Sequence, residues 1–268
     1  MTTKYFEHQS GKIAYDDVGS GPLVICAPSM GDLRQEYRFL ARQLADAGYR
    51  AVSMDVRGHG ETSTGWADYS VAGVGADLVA LIQHLNAGPA AIIGESMAAG
   101  AAIWAAAEAP ECVTGLVLIG PFTRGEGMPL VQLLFRIMFS RPWGPSMWLR
   151  YYKSLYPSRK PADFDAYCAE LYANLKQPGR LEALQKMIDA SKRASEERIP
   201  RMKSPALVLM GSKDPDFKPP EAEAKWVADA LHGTYHMIEG AGHYPQTEMP
   251  EVTAPLILSF LQSLREGK

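Results

Sequence analysis

The hydrophobic positions of the chain fall into short apolar runs separated by longer segments with helical spacing. Leu23–Ala27, Ala90–Ile93 and Gly115–Ile119 are apolar at nearly every position, as in strands buried on both faces of a parallel sheet. Four further strands are predicted at Ile13–Tyr15, Tyr49–Met54, Pro205–Met210 and Tyr235–Ile238. The spacing between strands predicts helices at Arg34–Ala47, Tyr69–Leu85, Ala98–Glu108, Glu221–Leu231 and Pro250–Leu264. This alternation predicts an α/β fold, a mostly parallel β-sheet with helices on both faces.

The alternation stops between Pro121 and Pro200, where helical spacing continues without a strand and prolines interrupt it. We therefore expect a core of residues 1–122 and 200–268 and an inserted all-helical cap of residues 123–199. The stretch holds 11 aromatic residues, which either line a pocket or pack the cap on the core. It also holds 13 Lys and Arg against 8 Asp and Glu. This excess indicates solvated helix faces or a preference for anionic substrates.

Composition narrows the class of protein. The chain has 268 residues, of which 47% are hydrophobic and 21% charged, as in an ordinary globular enzyme. Its net charge of −3 gives no basic surface for nucleic acid. The three cysteines are far apart, so they form neither a disulfide framework nor a metal-ligand cluster. The first residues lack the apolar segment of a secretory signal, and Leu130–Phe139 is too short to span a membrane. We expect a cytoplasmic protein that acts on a small molecule, with its oligomeric state left open.

One serine lies between a predicted strand and a predicted helix, in the segment Gly94-Glu95-Ser96-Met97-Ala98. A serine raised on a sharp strand-to-helix turn forces the residues two before and two after it against neighbouring backbone. Gly94 and Ala98 are small enough for this arrangement, which is typical of a nucleophile elbow. The alternative is a serine that caps the helix beginning near Met97.

A nucleophilic serine needs an imidazole to take its proton and an acid to orient that imidazole. Of the six histidines, His59 and His243 lie in loops directly after predicted strands. Asp214 also follows a strand, although an Asp-Pro pair seen alone is more often a turn former. Loops at one end of the strands of an open α/β sheet gather over one crevice, so Ser96, Asp214 and His243 can converge.

With these three residues in this order, the chain resembles the α/β-hydrolase superfamily. The segments Asp55–Gly60, Gly211–Pro215 and Gly242–Pro245 also match loops of that family. The resemblance implies a catalytic triad of Ser96, Asp214 and His243, with no metal and no organic cofactor. It also implies that His59 is a scaffold residue and that Asp214, rather than Asp216, is the acid.

One loop departs from the family pattern. Where the family carries His-Gly-x-x after its third strand, this chain has Pro28-Ser29-Met30-Gly31. Met30 occupies the position whose backbone N–H helps form the oxyanion hole, and Met97 supplies the second amide. Backbone amides donate whatever the side chain, so both can serve if the turn is kept.

The resemblance implies a serine hydrolase that cleaves a carboxylic ester of a small, fairly apolar substrate through an acyl-serine intermediate. Carbon–carbon bond hydrolases, lactonases and perhydrolases on the same triad are alternatives. An alternative of another class is a small-molecule receptor with a vestigial triad, because a fold does not fix a function. The cap aromatic residues expected to control substrate size are Phe135, Phe139, Trp143 and Trp148.

Overall fold

A computed structural model describes residues 2–125 and 129–266 of the chain. These residues form one sheet of eight strands in the spatial order β1-β2-β4-β3-β5-β6-β7-β8. The strands are β1 Lys4–His8, β2 Gly11–Gly19, β3 Leu23–Ala27, β4 Arg50–Met54, β5 Ala90–Glu95, β6 Val113–Ile119, β7 Ala206–Gly211 and β8 Thr234–Ile238. The pairs β1–β2 and β2–β4 are antiparallel, and all other neighbours are parallel. The carboxyl ends of β3 to β8 therefore meet at one edge of the sheet.

Helices cover both faces of the sheet. The core helices are α1 Arg38–Asp46, α2 Val71–Leu85, α3 Met97–Glu108, α9 Pro220–Ala230, α10 Pro245–Glu248 and α11 Pro250–Glu266. Helices α2, α3 and α9 pack on one face, and α1 and α11 pack on the other. Successive residues of β5 alternate between the two layers, with Ile92 in the first and Ile93 in the second. Because both faces are covered, a strand buried throughout its length reads as one apolar run.

Between β6 and β7 the chain is helical, and we call residues 129–201 the helical insertion. Its helices are α4 Pro129–Met138, α5 Gly144–Ser154, α6 Phe164–Leu175, α7 Arg180–Asp189 and α8 Arg193–Glu196. The insertion has its own hydrophobic cluster, which includes Tyr152, Phe164 and Leu171. Leu33 and Tyr244 of the core belong to the same cluster, so this cluster joins the insertion to the loops at the carboxyl edge of the sheet.

The predicted fold class is confirmed, and the differences lie at the edge of the sheet and at one helix start. The predicted strand Ile13–Tyr15 is only the centre of β2, and the bounds of β1 were not predicted. In β1 only Phe6 is buried, so this edge strand has no apolar run. The helix predicted from Arg34 begins with a 3-10 turn, because the Arg34 amide and guanidinium are both held by the buried Asp55. No helix among the described residues is both long enough and apolar enough to cross a membrane.

Candidate active site

Ser96 lies on the sharp turn that joins β5 to α3. Its φ of 54° is rare for a residue other than glycine and marks a strained backbone. A Cβ at Gly94 would lie 2.5 Å from the carbonyl oxygen of Ala98, which explains the small residue there. Ser96 precedes the first residue of α3, yet its side chain makes no capping hydrogen bond. The geometry therefore matches the predicted nucleophile elbow better than it matches a helix cap.

His243 and Asp214 are in direct contact, although 29 positions separate them in the sequence. Asp214 follows β7 and His243 follows β8, and His243 Nδ1 lies 2.7 Å from Asp214 Oδ2. Both side chains are buried. Gly120, at the end of β6, makes room for them: a Cβ there would lie 3.0 Å from the imidazole ring. The Asp214 carboxylate thus fixes the orientation of the ring and favours a proton on Nδ1.

The environment makes the His243 imidazole more basic. Burial opposes its protonation, but the charge and the hydrogen bond of Asp214 outweigh burial and raise the pKa of His243 above its ordinary value. A more basic imidazole is a better acceptor for a hydroxyl proton, provided that it is neutral when substrate binds.

Asp216 lies farther from the imidazole and has its own contacts. Its nearest carboxylate oxygen is 4.0 Å from His243 Nδ1, and its backbone amide donates to Asp214 Oδ1 over 3.0 Å. The Tyr151 hydroxyl, from α5 of the insertion, donates to the Asp216 carboxylate at 2.7 to 2.8 Å. Asp216 therefore links Asp214 to the insertion, which sequence reasoning did not anticipate.

Ser96 and His243 line the same cavity, whose volume is about 140 Å³. The structure brings both residues to this cavity, although no hydrogen bond joins the Ser96 hydroxyl to the imidazole among the described residues. Such contacts are often longer in the absence of substrate. The remaining lining residues are mostly apolar: Ser29, Met30, Phe122, Phe135, Phe139, Trp148, Tyr151, Leu155, Ile188, Lys192, Asp216 and Tyr244. Of the four aromatic residues expected in the pocket, Trp143 is absent from the lining and is 48% exposed.

The loop after β3 is held from two sides. Gly31 has a φ of +70°, and its amide donates to His59 Nε2 over 2.9 Å. Its carbonyl accepts the indole N–H of Trp148, from α5, at 3.0 Å. The preceding residue, Met30, lines the cavity, and Met97 opens α3, where the first amides of a helix have no partner within it. Met30 thus lies at the cavity and Met97 directly follows the cavity-lining Ser96, and the role of both amides in an oxyanion hole remains a prediction.

His59 contributes to the scaffold, as the family resemblance implied. Its Nδ1 donates to the Arg57 carbonyl over 2.8 Å, while its Nε2 accepts the Gly31 amide. Burial lowers the pKa of His59 to about 4, so the ring stays neutral and keeps both bonds. The bond to Gly31 fixes the loop even though Pro28 and Ser29 replace the usual residues.

Three buried carboxyl groups beneath the site were missed by sequence reasoning. Asp32, Glu36 and Glu95 lie close enough to interact electrostatically, and burial raises the pKa of all three. The amide group of Gln246 donates to Glu36 at 2.7 Å and to Glu95 at 2.8 Å. Glu95 directly precedes Ser96, so this network connects the turn that carries the serine to α10. The sequence offered one signal of this network: Glu95 is an acidic residue that ends the otherwise apolar strand β5.

The arrangement of His243, Asp214 and Asp216 also has spacing compatible with a metal. Among residues 2–125 and 129–266, these three form the group whose ligand atoms lie within 4.8 Å of one another. Nδ1 of His243 and Oδ2 of Asp214 already face each other, so a metal ion would have to break that hydrogen bond. An acid–imidazole pair accounts for these contacts without a metal.

Comparisons with known proteins agree with the fold. The sequence model of the alpha/beta hydrolase fold family matches residues 22–250. A Mycobacterium tuberculosis H37Rv protein named putative non-heme bromoperoxidase BpoC is 29% identical over 271 residues, covering 94% of this chain and 98% of that protein. The 2-hydroxy-6-oxononadienedioate/2-hydroxy-6-oxononatrienedioate hydrolase of Burkholderia vietnamiensis is 27% identical over 231 residues, covering 81% of this chain and 78% of that protein. The structure of a thermophilic esterase from Thermogutta terrifontis superposes with a TM-score of 0.82 at 22% identity, covering 98% of this chain and 99% of that one. This chain therefore belongs to the alpha/beta hydrolase fold family.

Proposed function

We propose that this protein is a serine hydrolase that cleaves carboxylic esters of small, mostly apolar substrates. The observation that carries the proposal is the arrangement around one cavity. Ser96 stands on a strained turn and lines the cavity with His243, whose Nδ1 is held 2.7 Å from Asp214. A hydroxyl, an imidazole and a buried carboxylate are the groups that acyl transfer to water requires.

In the proposed mechanism Ser96 Oγ attacks the ester carbonyl while Nε2 of His243 accepts the hydroxyl proton. The amides of Met30 and Met97 stabilise the resulting oxyanion. The imidazolium then gives its proton to the leaving alcohol, and an acyl-serine remains. A water molecule, deprotonated by the same imidazole, hydrolyses that intermediate and regenerates the serine. Asp214 orients the ring and stabilises its charged form throughout.

The shape of the cavity supports a small, apolar acyl or alcohol group. Residues of the insertion, including Phe139 and Trp148, form part of its wall. We propose that residues 123–199 act as a cap that limits substrate size. The mostly apolar lining favours a hydrocarbon acyl or alcohol group.

Carbon–carbon bond hydrolysis is a second candidate, because one similar protein is named as a hydrolase of an oxononadienedioate. That reaction also needs a serine, a base and an oxyanion hole. Ranking a short activated ester against a vinylogous diketone by kcat/KM separates the two reactions. A receptor with a vestigial triad would bind both compounds and give no sustained turnover of either.

The test of the nucleophile is labelling by an organophosphonate in Ser96→Ala and in Ser29→Ala. Ser29 is a matched control, because it is a second buried serine that lines the same cavity. We expect intact-mass analysis to show one adduct on the parent and on Ser29→Ala, and none on Ser96→Ala. Ester turnover should be abolished with the adduct, while circular dichroism stays unchanged. An adduct on Ser29, or full activity of Ser96→Ala, would refute the proposal.

A further inference from the structure

Lys192 differs from the other basic residues of the insertion in where it lies. It follows α7 and directly precedes α8, and its side chain lines the cavity that holds Ser96 and His243. Its Nζ lies 5.5 Å from the centre of the Phe122 ring, and that ring lies 6.1 Å from the imidazole of His243. Lys192 therefore contributes to the wall of this cavity, and its ammonium group lies beside Phe122, another lining residue.

Most other cations of the insertion already have acidic partners at the surface. Arg136 pairs with Asp189 at 2.8 Å and Arg141 pairs with Glu182 at 3.3 Å, and both guanidinium groups are about half-exposed or more. By contrast, within residues 2–125 and 129–266 no carboxylate lies within ion-pair distance of Lys192. Burial lowers the pKa of its ammonium group, and no carboxylate of the described residues offsets this effect. Burying a cation is costly unless a counter-ion accompanies it, so an anionic group placed beside Lys192 would be stabilised.

Two charged side chains of opposite sign belong to residues that line the cavity, Asp216 and Lys192. Asp216 lies beside His243 and accepts the Tyr151 hydroxyl, so its carboxylate is already engaged. Lys192 lies beside Phe122, and no hydrogen bond to its ammonium was found among the described residues. An anionic group on a substrate would be repelled near Asp216 and attracted near Lys192, which gives a bound substrate one favoured orientation.

We propose that the substrate carries a carboxylate and that the Lys192 ammonium binds it while the ester group lies at Ser96. One ammonium neutralises one negative charge, which suits a carboxylate better than a phosphate dianion. This inference rests on the proposed ester hydrolysis and names the substrate class for the same cavity.

The test compares esters that differ only in charge, with the carboxylate on either part of the molecule. For the acyl part, the pair is mono(4-nitrophenyl) adipate and 4-nitrophenyl heptanoate. For the alcohol part, it is 4-(butanoyloxy)benzoate and its methyl ester. We expect kcat/KM to favour the anionic member of at least one pair. In Lys192→Met that preference should fall by about 10- to 100-fold, as for loss of a hydrogen bond to a charged group.

Two further variants separate charge from packing. Lys192→Arg keeps the positive charge and should retain the preference, and it remains informative if Lys192→Met does not fold. Lys186→Met removes an exposed lysine near the end of α7 that does not line the cavity, and it should match the parent on all four esters. If neither pair shows a preference that depends on Lys192 while neutral esters are hydrolysed, the inference is wrong and the proposed function stands.

A binding measurement keeps the inference testable if no ester is turned over. Calorimetry with adipate and hexanoate, on the parent and on Lys192→Met, requires no catalysis. Tighter binding of adipate that depends on Lys192 would support a carboxylate site even where the proposed hydrolysis had failed. Equal binding of adipate to both proteins would overturn the site.

Discussion

The sheet core and the helical insertion both line one cavity, but they contribute different kinds of residues to it. The core contributes groups that follow strand ends and are fixed by backbone geometry, such as Ser96 on its strained turn and His243 against Asp214. The insertion contributes mainly side-chain bulk, through Phe139 and Trp148. The candidate catalytic groups thus depend on the sheet, while the size of the cavity depends on the insertion, which also holds core loops through Trp148 and Tyr151.

The two regions also differ in whether their charged side chains are buried or exposed to solvent. Beneath the site, the carboxyl groups of Glu36 and Glu95 are buried and accept hydrogen bonds from the same amide group of Gln246. In the insertion, pairs such as Arg141 with Glu182 are exposed to solvent. Exposed pairs contribute little to stability, whereas buried carboxyl groups make stability depend on pH.

The largest effect is expected at the acid. Asp214→Asn should lower kcat on an activated ester by about 10,000-fold, because the imidazole loses the group that fixes its tautomer. Since Asp214 raises the pKa of His243, the acid limb of the pH–kcat/KM profile should also move to lower pH in this variant.

Asp216→Asn is the matched control for this experiment, because Asp216 follows the same strand and its carboxylate is 4.0 Å from the ring. It should stay within a few-fold of the parent, with circular dichroism confirming the fold of both variants. The reverse ranking would make Asp216 the acid, and two near-normal enzymes would mean that the acid comes from another strand.

The second effect concerns Gly31, where core and insertion meet. A Cβ at Gly31 would lie 2.3 Å from the Trp148 ring, so Gly31→Ala must displace either the loop or α5. We expect kcat to fall by about 100- to 1000-fold, as when an oxyanion donor is lost. Gly48→Ala is the control, because Gly48 also has a positive φ, +83°, and nothing lies within 4 Å of the added Cβ.

Both alanine variants should lose stability in thermal unfolding, since both place a side chain at positive φ. Only Gly31→Ala should lose activity in steady-state kinetics. Equal activities in the two variants would show that the loop after β3 does not position an oxyanion donor.

The third effect is on substrate size. Phe135 lines the cavity and Trp143 does not, although both are aromatic, partly exposed residues of the insertion. Phe135→Ala should shift the preferred acyl chain length, changing the ratio of kcat/KM for hexanoyl and acetyl esters by roughly tenfold, the worth of one or two buried methylene groups. Trp143→Ala should keep the parent's ratio. A profile unchanged in Phe135→Ala would place the acyl group elsewhere in the cavity.

The smallest effect is on stability. Because the folded-state pKa of Glu36 is raised above its ordinary value of 4.5, the folded protein holds this proton more tightly than the unfolded chain. Stability is therefore lost as pH rises above about 4.5 through the raised pKa. Glu36→Gln removes this loss and should be more stable than the parent at pH 8 by about 1–3 kcal/mol, with little gain at pH 4.

Denaturant unfolding at both pH values measures this difference. Glu182→Gln, which removes an exposed charge of the insertion, should stay within about 0.5 kcal/mol of the parent at both. A Glu36→Gln variant less stable than the parent at pH 8 would mean that the carboxylate is favourably ionised in the fold.

Features that depend on neighbours along the chain could be predicted from the amino-acid sequence. The apolar runs of β3, β5 and β6 specify buried parallel strands because every side chain there meets a packed layer. The small residues around Ser96 specify a tight turn, since a larger residue at Gly94 would collide with backbone only a few residues away. Asp214 and His243 could be selected because each follows a strand, and their order after Ser96 along the chain is the order found in a known family.

Contacts between side chains from distant segments depend on how the helices and strands pack, and the sequence did not predict them. Trp148 reaches the Gly31 carbonyl across 117 positions, and Gln246 reaches Glu36 across 210. A basic excess in the insertion was visible in the sequence, but whether Lys192 faces solvent or the cavity depends on how α7 and α8 pack on the core. Local periodicity determines helices and strands, whereas the partners of a buried charge or an indole N–H are fixed only when those elements pack together.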